Sequence, residues 1–379
     1  MSQKINVTAS GLYTNSNQLS SDTPEGALTI ATNVNIDKAN IVESRRGFES
    51  ETALSALDRV DAITSYQDKL VVRRSNDNKM SSLRSGTWTD YLGTYSHPDS
   101  DYARMKFSQV NGNLYFTTSD GVKVLDTYNG TIYSTGMPKG LDGEATLTGA
   151  SGFLADNTQV AFRIVWGTKD ANSNLYLGSP SQRIIVSNSS GGTRNVSLTF
   201  TIPQGITTSD FYQIYRGGVS ASSTSEPNDE MQLVFEDNPT SGEISAKTIT
   251  LTDNTPDSLK GAFLYSNANQ EGIQETNDIP PLAIDITEFK NFLFYGNIRT
   301  SHLLNIRLLA VSGSGLVLND TITIDGMVFT AKASTTIASK EFELFTGGSA
   351  SQNIDDTARE ICKVINQYSG NTTLYAYYL

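Results

Sequence analysis

One pattern recurs at three places in the chain: an alternating apolar strand, a two-residue polar turn and a second strand. The turns are Gln67-Asp68, Asn111-Gly112 and Lys290-Asn291. Asn-Gly between alternating strands is a strong signal for a tight β-hairpin. Antiparallel repeats of about 40 residues are typical of β-propeller blades. The sequence therefore predicts propeller-like blades over residues 51–145 and a return to propeller-like strands over residues 261–302.

A different module interrupts these repeats between residues 146 and 260. Its first strand places Val160, Phe162, Ile164 and Trp166 on one face. Further strand-like segments follow at 184–186, 196–202, 211–216, 232–236 and 247–252. About seven short strands with turn signals between them fit an immunoglobulin-like or fibronectin-like β-sandwich. We expect this sandwich to be inserted into the propeller-like domain.

Residues 303–379 predict a small β-hairpin plus helix module. Asp325-Gly326 is the expected hairpin turn. The expected helix spans 351–366, because five apolar residues fall on one face: Ile354, Ala358, Ile361, Cys362 and Ile365. Ser351 or Asn353 is the expected N-cap. Further strands are expected at 315–320, at 342–345 and, as a returning strand, at 374–379.

The first 50 residues predict an N-terminal arm and hairpin. Pro24 and Gly26 indicate a turn. Val34 with Ile36, and Ile41 with Val42, indicate two short strands joined by a turn at 37–40. The complete expectation is a mainly β fold: a partial β-propeller with an inserted immunoglobulin/fibronectin-like β-sandwich and a small C-terminal α+β module.

Composition limits the function classes that fit. The formal net charge is −12, whereas proteins that hold nucleic-acid backbone stably present basic surfaces. The single cysteine, Cys362, excludes an intrachain disulfide framework. The N-terminus has no apolar core that would indicate a signal peptide, and no apolar run is long enough to predict membrane insertion. We expect synthesis in a cytosol and delivery by assembly.

Few residues suggest chemistry. His97-Pro98-Asp99 could begin a catalytic triad, but its turn-rich surroundings favour a loop histidine. Cys362 lies on the apolar face of the predicted helix, which favours packing over a nucleophilic role. Asp170-x-Asn172-x-Asn174 matches the first half of a calcium loop but lacks the glycine and glutamate that complete one.

Three other motifs also favour structural interpretations. Ser85-Gly86-Thr87-Trp88 matches a fragment of a sialidase Asp-box turn without its Asp-x-Gly core. Arg45-Arg46 could anchor an acidic neighbouring subunit, although a solvated or intrachain pair fits equally well. Ser189–Gly192 lacks the lysine of a phosphate-binding loop and predicts a hairpin turn. His-Glu-x-x-His and Cys-x-x-Cys motifs are absent from the sequence. We predict no enzyme activity and no catalytic, cofactor-binding or metal-binding residues.

The N-terminal region carries a family resemblance. It consists of Gly11-Leu12-Tyr13-Thr14, Pro24-x-Gly26-Ala27-Leu28, Ala31-x-Asn33-Val34-x-Ile36-Asp37 and Arg45-Arg46-Gly47-Phe48. Together these motifs resemble the opening of the tail nozzle proteins of short-tailed bacteriophages, also called tail tubular protein B or stabilisation proteins. The match is strongest over the first 50 residues.

The resemblance implies a structural virion protein of the bacteriophage tail, assembled in the host cytoplasm. It implies a homo-oligomeric ring, a hexamer, that contacts the tail adaptor and tail fibre proteins. DNA would pass transiently and without sequence specificity through its channel during ejection. An acidic wall suits that passage, because like charge resists adsorption.

The strand count adds a further expectation. A six-bladed propeller needs roughly 240–270 residues at about 40–45 per blade, and fewer than about 200 are available here outside the two other modules. We therefore expect either that the chain is an N-terminal portion of a longer protein or that other chains complete the sheets. Two alternatives stay open. One is a host-surface adhesin that binds carbohydrate through exposed aromatics of 146–260, and the other is a propeller glycosidase, which would need paired carboxylates in one cavity.

Overall fold

A computed structural model gives the structure of residues 10–14, 24, 26–28, 30–35, 43–45, 47, 59–97, 104–264, 277–300, 302–313 and 315–378. Over these residues the chain is mainly β, with several sheets and a helix near the C-terminus, which confirms the predicted class. The chain divides into two units, residues 1–57 and 58–379.

The first unit contains two short strand pairs. β1 (Gly11–Leu12) runs parallel to β2 (Ala27–Leu28). β3 (Val34–Asn35) runs antiparallel to β4 (Glu43–Ser44), as expected for the predicted hairpin. The predicted turn at 37–40, together with Ile36, Ile41 and Val42, lies outside the described residues.

The second unit begins with two four-stranded antiparallel sheets. The first sheet contains, in spatial order, β5 (Val60–Tyr66), β6 (Lys69–Arg74), β7 (Lys79–Arg84) and β8 (Thr87–Asp90). The second contains β9 (Phe107–Val110), β10 (Asn113–Thr118), β11 (Gly121–Leu125) and β12 (Tyr133–Ser134), also in sequential order. A later hairpin pairs β21 (Leu282–Phe289) with β22 (Phe292–Arg299).

The predicted two-residue turns are confirmed. Gln67-Asp68, Asn111-Gly112 and Lys290-Asn291 all have positive φ at both positions, between 46° and 82°. This backbone geometry matches the twist of the flanking strands and is that of type I′ hairpins. Ser85-Gly86 adopts the same geometry between β7 and β8, so the Asp-box-like fragment is a hairpin turn.

The three sheets of this region stack through shared cores. Residues from the first and second sheets form one cluster: Tyr66, Val71, Met80, Tyr91, Met105, Leu114, Phe116, Leu125 and Ile132. Residues on the opposite face of the second sheet form another cluster with residues of the β21–β22 hairpin. Its buried members are Val110, Tyr115, Val122, Val124, Ala283 and Ile286. The second sheet is therefore buried on both faces, and all six residues of β10 are buried.

Residues 138–277 leave this stack and return to it at adjacent points. Met137 and Asp278 form a parallel β-bridge, and the backbone N–H of Met137 donates to the carbonyl of Asn277 at 2.8 Å. The intervening chain therefore projects from one place on the stack.

The projecting region contains two further antiparallel sheets and a short helix. One sheet contains β13 (Gly143–Thr148), β17 (Asn195–Thr201) and β20 (Thr248–Asp253). The other contains β14 (Thr158–Lys169), β15 (Leu175–Leu177), β16 (Ile184–Asn188), β18 (Phe211–Arg216) and β19 (Gln232–Asp237). The helix is α1 (Ser241–Ala246). All the strands predicted between residues 146 and 260 are present, whereas β13, β15 and α1 are additional.

One apolar cluster is shared by these two sheets. Its central members come from four strands: Val160, Phe162, Ile164, Trp166, Val196, Leu198, Phe200, Ile214 and Ile249. The predicted face of β14 is therefore confirmed as a core face. The opposite face of β14 is also covered, because Ala161 and Val165 pack with Tyr215, Met231 and Leu264.

The last region has a core of its own. β23 (Thr321–Ile324) and β24 (Met327–Lys332) form the predicted hairpin at Asp325-Gly326, and β25 (Glu341–Glu343) adds a parallel strand. α2 (Ala350–Gln367) packs on them, with Val364 and Ile365 beside Phe329 and Phe342.

Three details of this region correct the sequence expectation. Ser349, rather than Ser351 or Asn353, caps α2, because its hydroxyl accepts from the backbone N–H of Gln352. Residues 315–320 make only one isolated bridge, between Val311 and Leu316. Residues 374–378 form no strand, because side chains take the backbone partners there: Asn366 Nδ2 donates to the carbonyl of Ala376 at 2.7 Å.

A buried ion pair connects the two sheets of the projecting region. Arg216 on β18 is fully buried, and its Nη1 lies 2.6 Å from Asp253 Oδ2 on β20. Its Nη2 donates to the carbonyl of Thr255 and to Asp257 Oδ1. A buried guanidinium needs such partners, because loss of Asp253 would leave its charge away from solvent with the exposed Asp257 as its remaining carboxylate partner.

We predict that Asp253→Asn lowers the free energy of unfolding by about 3 kcal/mol, because Arg216 loses its buried counter-ion. Glu226→Gln is the control, since it breaks an exposed pair with Arg183, and should change stability by less than about 1 kcal/mol. Urea denaturation followed by tryptophan fluorescence measures both. Equal effects of the two substitutions would contradict the assignment.

Candidate functional site

A polar junction fixes the projecting region to the second sheet of the stack. It consists of the β9–β10 turn (111–113), Asp126 after β11, and the β14–β15 turn with the start of β15 (170–176). We call these residues the junction. The Asp170-x-Asn172-x-Asn174 motif lies within the junction.

Donors, rather than acceptor oxygens, surround the carboxylate of Asp170. Its Oδ2 accepts from Asn113 Nδ2 at 2.6 Å and from Asn174 Nδ2 at 2.8 Å. Its Oδ1 accepts from the backbone N–H groups of Asn172 and Asn174 at 2.9 and 2.8 Å. The motif is therefore a turn closed by its own aspartate. Within the described part of the chain, no group of three or more His, Cys, Asp or Glu side chains is arranged to hold a metal ion.

Asn172 extends the junction to the stack. Its Nδ2 donates to Asn113 Oδ1 at 2.6 Å and to the carbonyl of Asp126 at 2.7 Å. A Cβ on Gly112, where φ is +82°, would lie 2.9 Å from Asn172 Cγ. Glycine at this turn therefore meets two demands, a left-handed backbone and close approach of the neighbouring turn.

Tyrosine hydroxyls complete the network. Tyr115 and Tyr176 share a hydrogen bond at 2.7 Å, and Tyr66 on the first sheet donates to the carbonyl of Gly112 at 2.7 Å. Burial raises the pKa of Tyr176, Tyr133 and Tyr66 above the usual value for tyrosine. These hydroxyls stay protonated at neutral pH and serve as hydrogen-bonding groups.

The charge state of Asp170 follows from the same contacts. Burial alone would raise the pKa of its carboxyl, but the hydrogen bonds from Asn113 and Asn174 together hold that pKa below its usual value. The carboxylate is therefore ionised at neutral pH and stabilises the turn. The junction joins the second sheet to the projecting region through these hydrogen bonds.

The other candidate residues lie apart from the junction. His97 is buried, and its carbonyl accepts from Arg73 Nη2; Pro98 and Asp99 are outside the described residues, as is Arg46. Cys362 lines a cavity of about 70 Å³ between α2 and β13–β17. Burial raises the pKa of its thiol to about 11, so it is protonated at neutral pH and has little nucleophilic character.

Ser189–Gly192 does not form the predicted hairpin turn. It connects β16 to β17, which belong to different sheets. Asn188 closes the loop by donating to the carbonyls of Leu154 and Gly192, each at 3.0 Å. Sequence alone could not distinguish the two cases, because both need flexible residues between strands.

The sequence patterns did not indicate the exposed apolar surface that the β21–β22 hairpin carries among the described residues. The β21–β22 hairpin packs Ile286, Leu293 and Tyr295 against the second sheet. The opposite face of this hairpin carries three phenylalanines. Phe289, Phe292 and Phe294 are 52–71% exposed, and Phe289 pairs directly with Phe292 across the strands. We call these three residues the aromatic face.

The segment that follows the hairpin is also apolar. Residues 302–309 have no regular secondary structure, and Leu303, Leu304, Ile306 and Leu309 are 57–85% exposed. Contiguous exposed apolar side chains are typical of interaction surfaces. The available sequence signal was the dense apolar composition of residues 289–309, where both strand faces carry large side chains.

The 146–260 region offers less for carbohydrate stacking. Trp166 is fully buried, and Phe235, at 36% exposure, is the exposed aromatic residue among the described ones of this region. Its ring lies 6.1 Å from that of Tyr212. Carbohydrate binding and glycosidase activity stay predictions from the sequence.

Comparisons with protein-family models and with curated proteins found no match. Of the helices in the described residues, none combines the length and apolar character that would let it span a membrane.

We predict that Asn172→Ala lowers the free energy of unfolding by about 1–3 kcal/mol, because the fully buried Asn113 side chain loses the donor to its Oδ1 and the carbonyl of Asp126 loses a further hydrogen bond. Limited proteolysis should cut the 170–174 turn faster in this variant. The control is Asn238→Ala, which removes one exposed hydrogen bond to the carbonyl of Asp210. If the turn of Asn172→Ala is cleaved at the wild-type rate, the hydrogen bonds of Asn172 do not stabilise it.

We also predict a pH-dependent role for Asp170. Because its pKa is lower in the folded protein, its carboxylate stabilises the fold above the unfolded-state value of about 4, and this contribution is lost as pH falls through the lower folded value. The difference in unfolding free energy between wild type and Asp170→Asn should be constant from neutral pH to about 5 and shrink toward pH 3. A difference that grows on acidification would refute this role.

Proposed function

We propose that this chain is a structural subunit of a short-tailed bacteriophage tail and forms part of the nozzle or tube through which DNA leaves the virion. In this proposal the stacked sheets are blades of a partial β-propeller. Residues 146–260 are an inserted immunoglobulin/fibronectin-like β-sandwich, and residues 303–379 are a small module that faces neighbouring tail proteins.

One observation carries the proposal: the stack of sheets ends in the exposed aromatic face. Each of the first two sheets covers an apolar face of its neighbour, whereas the outer face of the β21–β22 hairpin carries Phe289, Phe292 and Phe294 in solvent. Exposed phenylalanines in such a row are costly in an isolated molecule and are typical of surfaces that become buried on assembly.

Charge and the junction support the same function. The net charge of −12 suits a channel wall that DNA passes without adsorbing. The junction holds the projecting region in a fixed orientation through hydrogen bonds of Asp170 and Asn172, as a rigid assembly component requires. The expected partners are further copies in a hexameric ring, the tail adaptor and the tail fibre proteins.

Negative-stain microscopy combined with mass photometry of the purified chain tests the proposal. We expect closed rings with a central channel wide enough for duplex DNA. A strict monomer at micromolar concentration, with saccharide binding by the chain, would instead favour the adhesin.

We predict that Phe292→Ser weakens self-association by about 10–100-fold, because each contact loses the burial of one aromatic side chain. Leu259→Ser is a matched control, since Leu259 is 70% exposed and Phe292 is 71% exposed. Sedimentation velocity measures association, and thermal melting should show both variants folded. Equal association of the two variants would exclude the aromatic face from the interface.

A further inference from the structure

The backbone of residues 302–309 has no hydrogen-bonding partner within the described part of the chain. These eight residues, His-Leu-Leu-Asn-Ile-Arg-Leu-Leu, contain no proline or glycine. Every N–H and C=O is therefore available for a β-ladder. We call residues 302–309 the donor segment.

The side chains of the donor segment suit the interior of a sheet. In an extended chain Leu303 and Leu309 would point to one face, and Leu304, Ile306 and Leu308 to the other. Strands with large apolar residues on both faces are typical of strands that are covered on both sides. Four of these side chains are instead in solvent.

The β21–β22 hairpin offers the complementary edge. β22 is hydrogen-bonded to β21 along one side, and its other edge has no strand partner among the described residues. The two sheets that precede it in the stack have four strands in sequential order. A third strand would therefore be expected beside β22. At about 3.4 Å per residue, the donor segment and the eight-residue β22 have matching lengths.

The connection to β22 disfavours pairing within one copy. Only Thr300 and Ser301 separate β22 from the donor segment. A two-residue hairpin turn needs positive φ within the turn or, as at Ser119-Asp120, at a glycine that follows it, whereas His302 follows Thr300-Ser301. The other described two-residue turns have positive φ at both positions and use Gln-Asp, Ser-Gly, Asn-Gly, Lys-Asn and Asp-Gly. A β-branched residue such as Thr300 strongly resists that conformation. The donor segment of one copy is thus better placed to pair with the free edge of β22 in another copy than with its own.

Charge also favours a second copy. The donor segment carries Arg307 and no acidic residue, whereas the whole chain has a net charge of −12. This segment is therefore attracted by the net negative charge of another copy. The attraction is long-range, because β22 itself carries Arg299 and no acidic residue.

We propose that the donor segment of one copy pairs as a β-strand with the free edge of β22 in a second copy and so adds a third strand to its hairpin. This inference rests on the proposed function, because it names the contact between neighbouring subunits. Backbone hydrogen bonds supply affinity and the apolar side chains supply specificity. The contact is head-to-tail, so it closes into a ring when the rotation between copies permits.

The test compares Ile306→Pro with Ile306→Ala in the full chain by sedimentation velocity. Proline removes a ladder donor and fixes φ, so association should fall by at least about 100-fold. Alanine keeps the backbone N–H and removes only the apolar side chain, so association should fall by about 10-fold. Both variants should melt like wild type, because the donor segment makes no backbone hydrogen bond within the described residues of one copy.

Two results would overturn the pairing. If Ile306→Pro assembles like wild type, the donor segment is not the contact, and the proposed function stands on another interface. If wild type stays monomeric at micromolar concentration, a second copy is not the occupant. Ring formation by microscopy reports on the proposed function separately.

A cysteine experiment distinguishes pairing between copies from pairing within one. In a Cys362→Ser background, Asn305→Cys in one tagged copy is mixed with cysteine at Tyr295, Gly296 or Asn297 in a differently tagged copy. Pairing in trans predicts a disulfide-linked heterodimer for at least one acceptor position and none for the control acceptor Thr250→Cys. Intrachain disulfides in double-cysteine chains without heterodimers, or no disulfide at any position, would overturn the proposal.

Discussion

The burial of the second sheet on both faces is the constraint on which the rest of the structure depends. β10 places Leu114 and Phe116 in one core and Tyr115 in another, so the first sheet and the β21–β22 hairpin both need it. A strand covered on both sides has no solvent for its polar side chains. Asn113 at its start is fully buried and finds its partners in the junction. The same burial that builds the stack therefore also determines where the projecting region attaches.

Local signals predicted the parts of this fold that are decided locally. The turns at Asn111-Gly112 and Asp325-Gly326 need positive φ, and their residues reveal it. Alternation along β14 predicted the face of its main core, because large apolar side chains at every second residue are visible in a single strand. α1 was missed although Thr240 and Glu243 form a capping box, since a six-residue helix leaves little periodicity. The sheet change between β16 and β17 depends on distant partners, which no turn sequence encodes.

The candidate sites were harder to predict for the same reason. The Asp170-x-Asn172-x-Asn174 spacing serves a closed turn as well as half a calcium loop, and only the approach of Asn113 distinguishes them. Alternation in the β21–β22 hairpin indicates two unlike faces but does not say which is covered. Phe289, Phe292 and Phe294 are as apolar as the core residues behind them. Their exposure follows from the sheets available to cover them, a property of the whole chain.

The adjacency of Met137 and Asp278 has a mechanical consequence. Because residues 138–277 leave and return at one bridge, tension along the stack passes from β12 to β21 through that bridge and bypasses the interior of the projecting region. Tension pulls Met137 and Asp278 in opposite directions along the backbone, which loads the bridge in shear. The two sheets of residues 138–277 do not carry this tension. Outside the 170–176 turn that contacts Asn113, we expect such a branch to tolerate insertion, deletion or exchange without change to the sheets that bear the tension.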